Sequence, residues 1–251
     1  MEVSATIISN RNGYKLIELL AVDSTNNYAA NISNDKLMSG YTVIMAYNQT
    51  NGRGQRGSSW VVEPNKNLTC SVVFNQLSIP VVNQFVISMA VALSIHDTLR
   101  WIVKQPVHLK WPNDIYIGTK KVGGVLIENS MVGNVINKTI IGLGLNVNQK
   151  KYPSGINATS LINEIGEELN LLELLDQWMP NLMSRFNNLN FDKLKVNYMQ
   201  RLMWKGIKQD YLFKGETITA TITDITPAGH LVLVTIGGTR IEAELKEIKK
   251  L

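Results

Sequence analysis

Residues 52–57 read Gly-Arg-Gly-Gln-Arg-Gly, three glycines interleaved with two arginines and one glutamine. Glycines let backbone N–H groups approach an anion closely, and arginine guanidinium groups add fixed positive charge. These residue types therefore predict a loop that handles phosphate. The competing interpretation is a mobile polar surface loop, which is the common role of glycine-rich polar stretches. The six residues alone do not decide between the two.

Two familiar nucleotide-binding motifs share letters with this loop but fail on their context. The dinucleotide motif G-x-G-x-x-G needs a helix after it and an acidic residue about 20 positions further on. Residues 58–64 instead predict an extended segment, and no Asp or Glu occurs between Glu63 and Asp97. A Walker A loop is excluded because Ser58-Ser59 stands where a lysine followed by Ser or Thr is required.

Three downstream motifs carry lysine, glycine or turn residues of the kind that a phosphate-handling site uses. They are Lys-Trp-Pro-Asn-Asp at 110–114, Lys-Val-Gly-Gly at 121–124 and Gly-Leu-Gly-Leu-Asn at 142–146. Adjacent glycines inside a strand leave bare backbone against which a ligand can lie, and Lys121 would supply charge to a phosphate. Alternating glycines at 142–146 strip one strand face, so a ligand or a closely packed element should occupy it. A plain hairpin corner with exposed lysines is the alternative for 110–121.

Composition describes an ordinary soluble globular protein of 251 residues, with 45% hydrophobic and 18% charged residues. This length allows one large domain and one small domain. The net charge of +5 suits an anionic substrate or an acidic partner but does not by itself indicate nucleic acid. We find no signal peptide and no uncharged apolar stretch of membrane-spanning length. The single cysteine, Cys70, predicts a reducing compartment, and hence a cytoplasmic protein.

Other catalytic chemistries have weak support. The three histidines are far apart and lack the spacing of metal ligands. Cys70 lies in an apolar run without a basic neighbour in sequence, which predicts a buried core residue rather than a thiolate nucleophile. No G-x-S-x-G motif is present.

Hydrophobic patterning predicts a body of strands and helices followed by a small barrel. Strands are predicted at 14–20, 41–46, 68–74, 107–110, 114–117, 121–128 and 134–145, and helices at 25–34, 84–103, 168–186 and 191–203. Asp23 or Ser24 would cap the first helix. From Glu216 the pattern has period two with glycine turns, which predicts a small antiparallel barrel after a change of character near Trp204.

Taken together, five motifs resemble those of biotin protein ligases in order and spacing. They are residues 23–26, Gln49 with 52–57, 110–114, 121–124 and 142–146. The resemblance covers essentially the whole chain and is to the form without an N-terminal DNA-binding domain, the biotin–[acetyl-CoA-carboxylase] ligases. It implies an α+β fold, with a mixed β-sheet and packed helices in a catalytic domain at 1–203 and a small SH3-like β-barrel at 204–251.

The resemblance also implies an activity. Members of the family activate biotin with ATP to biotinyl-5′-AMP, using Mg²⁺, and then transfer biotin to one lysine of a biotin carboxyl carrier protein, as in acetyl-CoA carboxylase. About 20 residues precede Asp23, too few for a helix-turn-helix, so we expect no direct DNA binding. We expect no membrane association, and homodimer formation is left open.

Site residues follow from the same resemblance. Biotin would contact Ser24, Thr25, Asn26, Gln49, Arg53, Gly123 and Gly124. ATP and the adenylate would contact Arg53, Gly54, Gln55, Arg56, Lys110, Asn113, Lys121 and Asn146. Lys121, Arg53 and Asp114 would be catalytic, with Asp114 orienting Mg²⁺ or the incoming lysine. Many relatives have arginine at the position of Gln55. Some stack adenine on a tryptophan after the Gly-x-Gly-x-Asn strand, where residues 156–161 offer no aromatic side chain.

Two other functions compete with this one. A lipoate–protein ligase shares the fold and the adenylate chemistry, although the glycine-arginine loop followed by Lys-Trp-Pro-Asn-Asp favours biotin. A biotin- or nucleotide-sensing protein that regulates through protein contacts would bind ligand without turnover.

Overall fold

A computed structural model describes residues 4–32 and 40–251 of the chain. In this part of the chain, eight strands form one sheet in the order β1-β2-β3-β4-β8-β7-β6-β5. They are β1 (Ser4–Arg11), β2 (Tyr14–Ala21), β3 (Tyr41–Ala46), β4 (Leu68–Pro80), β5 (Val107–Lys110), β6 (Asp114–Ile117), β7 (Lys120–Val132) and β8 (Val135–Leu145). The α-helices are α1 (Thr25–Asn31), α2 (Phe85–Leu99), α3 (Leu161–Ile165), α4 (Leu171–Asn187) and α5 (Phe191–Arg201).

The large sheet is mixed and is covered on both faces. Strands β2 and β3 pair in parallel, whereas the other neighbours in the sheet are antiparallel. Helices α2, α4 and α5 pack on one face and contribute to the main hydrophobic core. Helix α1 covers part of the other face, where Ala29 belongs to a smaller cluster with Ile44 and Ile140. The expected α+β class with a mixed sheet is therefore confirmed.

Strand β3 shows why a central strand of this sheet can be predicted from the sequence. All six of its residues are buried, because helices cover the sheet on both sides. A strand buried on both faces reads as a continuous β-branched and apolar run rather than an alternation. The predicted and observed limits of this strand therefore coincide.

Several predicted limits differ from the structure. Helix α2 ends at Leu99 rather than at residue 103. Helix α1 ends at Asn31, and residues 33 and 34 of the predicted helix lie outside the described residues. Strand β1 was not predicted, because it is an edge strand whose Ile7 and Ile8 are both exposed and therefore show no alternation.

The C-terminal strands form a second, antiparallel sheet. They are β9 (Lys208–Phe213), β10 (Glu216–Ile225), β11 (Leu231–Thr235), β12 (Arg240–Ala243) and β13 (Ile248–Lys250), in the order β12-β11-β10-β9-β13. The hydrogen-bonded order of this fully described segment ends at β12 and β13, so the expected closed barrel is not seen in the strand pairing. Strand β9 was missed, because its polar residues Lys208, Gln209 and Asp210 hide the apolar alternation.

Specific contacts join the second sheet to the first. Trp111 Nε1 donates to the Gly229 carbonyl at 2.9 Å, and the Phe85 N–H donates to the Pro227 carbonyl at 3.3 Å. The Lys195 ammonium lies 2.8 Å from an Asp224 carboxylate oxygen. The turn after β5, which carries Trp111, is thereby held between the two sheets.

One described segment, Val81–Leu99, is long and apolar enough to cross a membrane by length and composition. It includes α2, and 67% of its most apolar window is buried inside the fold. Within it, Ser94 Oγ accepts a hydrogen bond from Trp178 Nε1 of α4 at 2.8 Å. These contacts are those of a core helix packed against its neighbours.

Candidate functional site

A cavity of about 230 Å³ opens where α1, the loop at 52–60, β6, β7 and β8 meet. Most of the predicted site residues line it. These are Ser24, Thr25, Asn26, Gln49, Arg53, Gly54, Gln55, Asn113, Asp114, Lys121 and Gly124. Residues as far apart in the chain as Ser24 and Gly144 are therefore brought to one place by the sheet order.

The end of the cavity nearest α1 is a fixed network of uncharged polar groups. The Thr25 N–H donates to Gln49 Oε1 at 2.8 Å, and Thr25 Oγ1 lies 3.1 Å from the same oxygen. Ser71 Oγ donates to Asn26 Oδ1 at 2.6 Å and lies 2.8 Å from Thr25 Oγ1. Ser71, on β4, was not predicted as part of the site, because one serine in an apolar strand gives no signal in the sequence.

Ser24 sits at the N-cap position of α1, as expected, but its side chain makes no capping hydrogen bond. The residue is buried and lines the cavity. Asp23 was the other candidate cap, and its carboxylate accepts from Asn27 Nδ2 at 2.7 Å. The Ser24 side chain therefore takes no part in capping α1, and the residue forms part of the cavity wall.

The glycine face of β8 is covered by two side chains. A Cβ atom on Gly142 would lie 2.3 Å from Asn26 Oδ1. A Cβ atom on Gly144 would lie 2.4 Å from the indole ring of Trp60. Asn26 and Trp60 therefore pack on this face, as expected for a closely packed element, and both glycines also line the cavity.

Trp60 was not among the predicted site residues. It lines the cavity, and its buried Nε1 has no hydrogen-bond partner among the described residues. None of the five motifs includes Trp60, which comes three residues after the glycine loop.

A close ion pair lies at the other end of the cavity. Lys121 Nζ is 2.6 Å from Asp114 Oδ1 and 5.7 Å from the centre of the Trp60 ring. Gly124 lies beneath the pair, and a Cβ atom there would be 3.5 Å from Lys121 Nζ and 3.6 Å from Asp114 Oδ1. The backbone of Lys121 is fixed as well, because its N–H donates to the Asn157 carbonyl and its carbonyl accepts from Thr159. The ammonium group is therefore well placed to meet an anion in the cavity.

The glycine loop is a folded turn. The Trp60 N–H donates to the Gly52 carbonyl at 2.8 Å and the Gly54 N–H to the Ser58 carbonyl at 2.7 Å, around a 3-10 turn at Gln55–Gly57. No α-helix follows it, as predicted, since β4 is the next regular element apart from turns. The side chain of Arg56 lies outside the described part of the chain.

Three predicted residues lie outside this cavity. Gly123 faces the core, since a Cβ atom there would be 3.1 Å from Leu145 Cδ1. Asn146 is buried and donates to the Thr159 carbonyl at 3.0 Å. Lys110 donates to the Tyr116 hydroxyl at 3.2 Å and lines a neighbouring cavity of about 320 Å³ between the two sheets.

The neighbouring cavity meets the first one at a shared wall formed by Gln55, Asn113 and Asp114. Asn113 is held there by two hydrogen bonds to Val125. Its Nδ2 donates to the Val125 carbonyl at 2.7 Å, and its carbonyl accepts from the Val125 N–H at 2.9 Å. Asn113 therefore fixes the turn that carries Asp114.

Metal-based and thiol-based chemistry find no support in the described residues. They contain no cluster of three or more His, Cys, Asp or Glu side chains that could hold a metal. Cys70 is fully buried, as predicted, and burial raises the pKa of its thiol to about 12. A thiolate is therefore negligible at neutral pH.

Comparison with known proteins assigns the class. Residues 19–146 match the model of the biotin/lipoate A/B protein ligase family. The matched region contains the strands and loops that build the cavity. The chain belongs to this family.

Individual relatives agree. A biotin protein ligase from Aquifex aeolicus in complex with biotin and ATP superposes with a TM-score of 0.77 and 28% identity, covering 94% of this chain and 98% of that one. A biotin–[acetyl-CoA-carboxylase] ligase from Mycobacterium tuberculosis is 27% identical over 203 residues, which are 78% of this chain and 74% of the relative.

A bifunctional ligase/repressor BirA from Bacillus spizizenii is 29% identical over 161 residues, which are 62% of this chain and 49% of the relative. The chain thus spans about half the length of the bifunctional relatives that it matches.

Proposed function

We propose that the protein is a biotin protein ligase, which activates biotin with ATP to biotinyl-5′-AMP and transfers biotin to a lysine of a biotin carboxyl carrier protein. One observation carries the proposal. A single cavity joins an uncharged polar network at α1 to a lysine–aspartate pair beside bare glycine backbone. Such a cavity suits a ligand with a neutral polar head group at one end and a carboxylate at the other.

The ureido ring of biotin is a neutral group with both donors and acceptors. Serine, threonine, asparagine and glutamine side chains can offer both kinds of partner without a net charge. In this proposal Ser24, Thr25, Asn26 and Gln49 hold the ring. The hydrogen bonds from Thr25 to Gln49 and from Ser71 to Asn26 fix part of this geometry before the ligand arrives, which lowers the entropy cost of binding.

The biotin carboxylate would then lie toward Lys121. In the first step a carboxylate oxygen attacks the α-phosphorus of ATP, the bond to the β-phosphate bridging oxygen breaks, and pyrophosphate leaves. Negative charge develops on the phosphoryl oxygens, and a preorganised ammonium group stabilises it. In the second step the amine of the acceptor lysine attacks the acyl carbon, the acyl–phosphate bond breaks, and AMP leaves with its electron pair while the amine loses a proton.

Asp114 has two possible tasks in this scheme, both consistent with its position beside Lys121. It would orient the acceptor lysine, or it would contact Mg²⁺ carried by ATP. One carboxylate fits such a magnesium ion, which is usually held by one or two carboxylates together with substrate phosphates. When bound, the ion supplies charge neutralisation for the phosphates.

The remaining residues have supporting roles in the proposal. Trp60 offers an aromatic face to adenine, and Arg53, Gly54, Gln55 and Arg56 cover the adenylate. Lys110 and Asn113 line the neighbouring cavity, and in this proposal they contact the nucleotide phosphates that extend into it. Gly123 and Asn146 act by packing, since they lie behind the cavity wall. The catalytic domain at 1–203 and the C-terminal domain at 204–251 together build this region. The single cysteine suits a cytoplasmic location.

Incorporation of labelled biotin into a purified carrier domain, with ATP and Mg²⁺, tests this function. We expect robust labelling, and no labelling when the acceptor lysine is replaced by arginine. Preferential activation of lipoate would support the rival ligase. Biotin binding without any adenylate formation would support the sensor, which regulates through protein contacts.

Gln55 leads to a further prediction about the adenylate. It lines both cavities and offers hydrogen bonds without charge, where many relatives carry arginine. We expect the Gln55→Arg variant to release biotinyl-5′-AMP more slowly than wild type, by roughly tenfold, because an added charge-assisted hydrogen bond is worth on the order of 1.5–3 kcal/mol. Release is measured by chasing labelled adenylate with an excess of unlabelled biotin and ATP. Equal release rates would show that residue 55 does not contact the adenylate.

A further inference from the structure

Glu128, on β7, links two parts of the site that are distant in sequence. Its Oε1 accepts from Arg53 Nη2 of the glycine loop at 2.9 Å. Its Oε2 accepts from Asn26 Nδ2 of α1 at 2.7 Å. One carboxylate therefore ties together the loop, the first helical turn and the sheet. Glu128 does not line the cavity, so it reaches a ligand only through these two partners.

The Asn26 amide is held in one orientation by this contact. Its Nδ2 points to Glu128 and its Oδ1 accepts from Ser71 at 2.6 Å. The Asn26 side chain also packs directly on the backbone of Gly142, so it has no room to move toward β8. Without an acceptor at position 128, the only other contact of Asn26 Nδ2 is a long one, to the Leu126 carbonyl at 3.4 Å. The orientation of the amide therefore depends on Glu128.

Arg53 is held by the same carboxylate. Its other terminal nitrogen, Nη1, donates to Asn27 Oδ1 at 2.8 Å, so the guanidinium group bridges α1 and β7. The Arg53 side chain is 44% exposed and that of Glu128 is 35% exposed, so the pair is partly open to solvent beside the cavity that Arg53 lines. An exposed ion pair contributes little to global stability. Its effect is expected on the local position of the loop.

We propose that Glu128 is a positioning residue for the adenylation site. One of its carboxylate oxygens sets the orientation of Asn26, and the other sets the position of Arg53. The inference rests on the proposed biotin ligase function. Glutamine at this position keeps the shape but replaces one oxygen with an N–H donor. Either Arg53 or Asn26 then faces a donor instead of an acceptor and loses its contact, while the other contact loses its negatively charged acceptor, so both contacts are weakened.

The consequence is specific to binding and retention. Asn26 is on the biotin side and Arg53 on the adenylate side of the cavity, so both the Kd for biotin and the release of the adenylate should depend on Glu128. Lys121 and Asp114 contact neither Glu128 nor its two partners, so their part in the chemical step should change little. In this proposal Arg53 retains the adenylate and takes no part in the chemical step itself. A residue with only a structural role would instead lower the Tm and the fraction of active enzyme, with the KM unchanged.

The test uses the full-length protein with Glu128→Gln and Glu128→Asp, and Glu167→Gln as the matched control at an exposed glutamate without a recorded partner. We expect Glu128→Gln to raise both the KM for biotin and the rate of adenylate release by about tenfold. Both of the affected hydrogen bonds, to Asn26 and to Arg53, are made by the charged Glu128 carboxylate. The kcat for adenylation should change less than threefold. Glu128→Asp, which keeps the charge and both acceptors, should recover part of the loss.

A double-mutant cycle with Arg53→Gln separates positioning from an independent effect. If Glu128 acts through Arg53, adding Glu128→Gln to Arg53→Gln should cost at most about twofold in adenylate release, instead of tenfold. Fully additive effects, or a KM and a release rate equal to those of wild type in Glu128→Gln, would overturn the proposal. If Glu128→Gln does not fold, Glu128→Asp and Arg53→Gln carry the same comparison, and an unchanged release rate in both would overturn it. Failure of wild type to form any adenylate would instead contradict the proposed function.

Discussion

Lys121→Ala is expected to lower the rate of adenylate formation by about 10²- to 10³-fold, the usual effect of removing one preorganised group that stabilises developing charge. The Lys121 ammonium faces the cavity beside Asp114 and over the bare backbone of Gly124. Alanine removes the charge and leaves the Asp114 carboxylate without its partner. The remaining negative charge would repel the phosphate, so the loss should exceed that of a simple truncation.

The measurement is the single-turnover rate of biotinyl-5′-AMP formation with saturating biotin and ATP. Lys120→Ala is the matched control, because this neighbouring lysine is exposed and lies outside the cavity. Biotin binding in the absence of ATP should change much less, since the polar network at α1 is intact. A normal adenylation rate in Lys121→Ala would remove Lys121 from the site and require another cation at the α-phosphate.

Gly142→Ala is expected to weaken biotin binding by on the order of 100-fold, because a displaced Asn26 amide would leave a polar group of the ligand unpaired, at a cost of about 1–3 kcal/mol. The new methyl group would lie 2.3 Å from Asn26 Oδ1, which is far inside van der Waals contact. Asn26 cannot yield without losing its hydrogen bonds to Ser71 and Glu128. The polar end of the cavity would therefore be rearranged, although no polar group has been removed.

Isothermal titration with biotin measures the effect. The control is Gly237→Ala, since a Cβ atom there would meet only Thr235 Oγ1 at 3.9 Å. The double variant Gly142→Ala with Asn26→Ala relieves the clash and should restore the Tm without restoring the affinity. Unchanged affinity in Gly142→Ala alone would mean that Asn26 does not bind the ligand.

Some elements of the fold could be predicted from the sequence and others could not, because only buried strands leave a clear apolar pattern. Strand β3 and the core of β4 are buried on both faces, and their apolar runs mark them clearly. The edge strand β1 and the polar strand β9 lack that signal, and both were missed. The length of α2 was overestimated, because the apolar residues Trp101, Ile102 and Val103 continue past its end at Leu99.

The same distinction holds for the site. Glycines, lysines and turn residues in motifs carry information in their own spacing, and most of those predicted do meet at one cavity. Ser71, Trp60 and Glu128 carry none, because their importance comes from neighbours brought close by the fold. Some predicted residues, such as Gly123, lie behind the cavity wall. Whether a strand residue faces the cavity or the core depends on the strand register, since a shift of one residue reverses the face of the sheet on which it lies.

The packing of Asn26 on Gly142 and of Trp60 on Gly144 has a consequence for divergence among related sequences. In each pair, the size of one side chain sets the largest size tolerated at the other, because backbone and ring already fill the space between them. A relative that gained a methyl group at either glycine would need a smaller residue at the partner position to fold the cavity in the same way. Within each pair, the two positions should therefore vary together among related sequences. A chain in which one pair is altered would mark a lineage that has changed what the cavity holds.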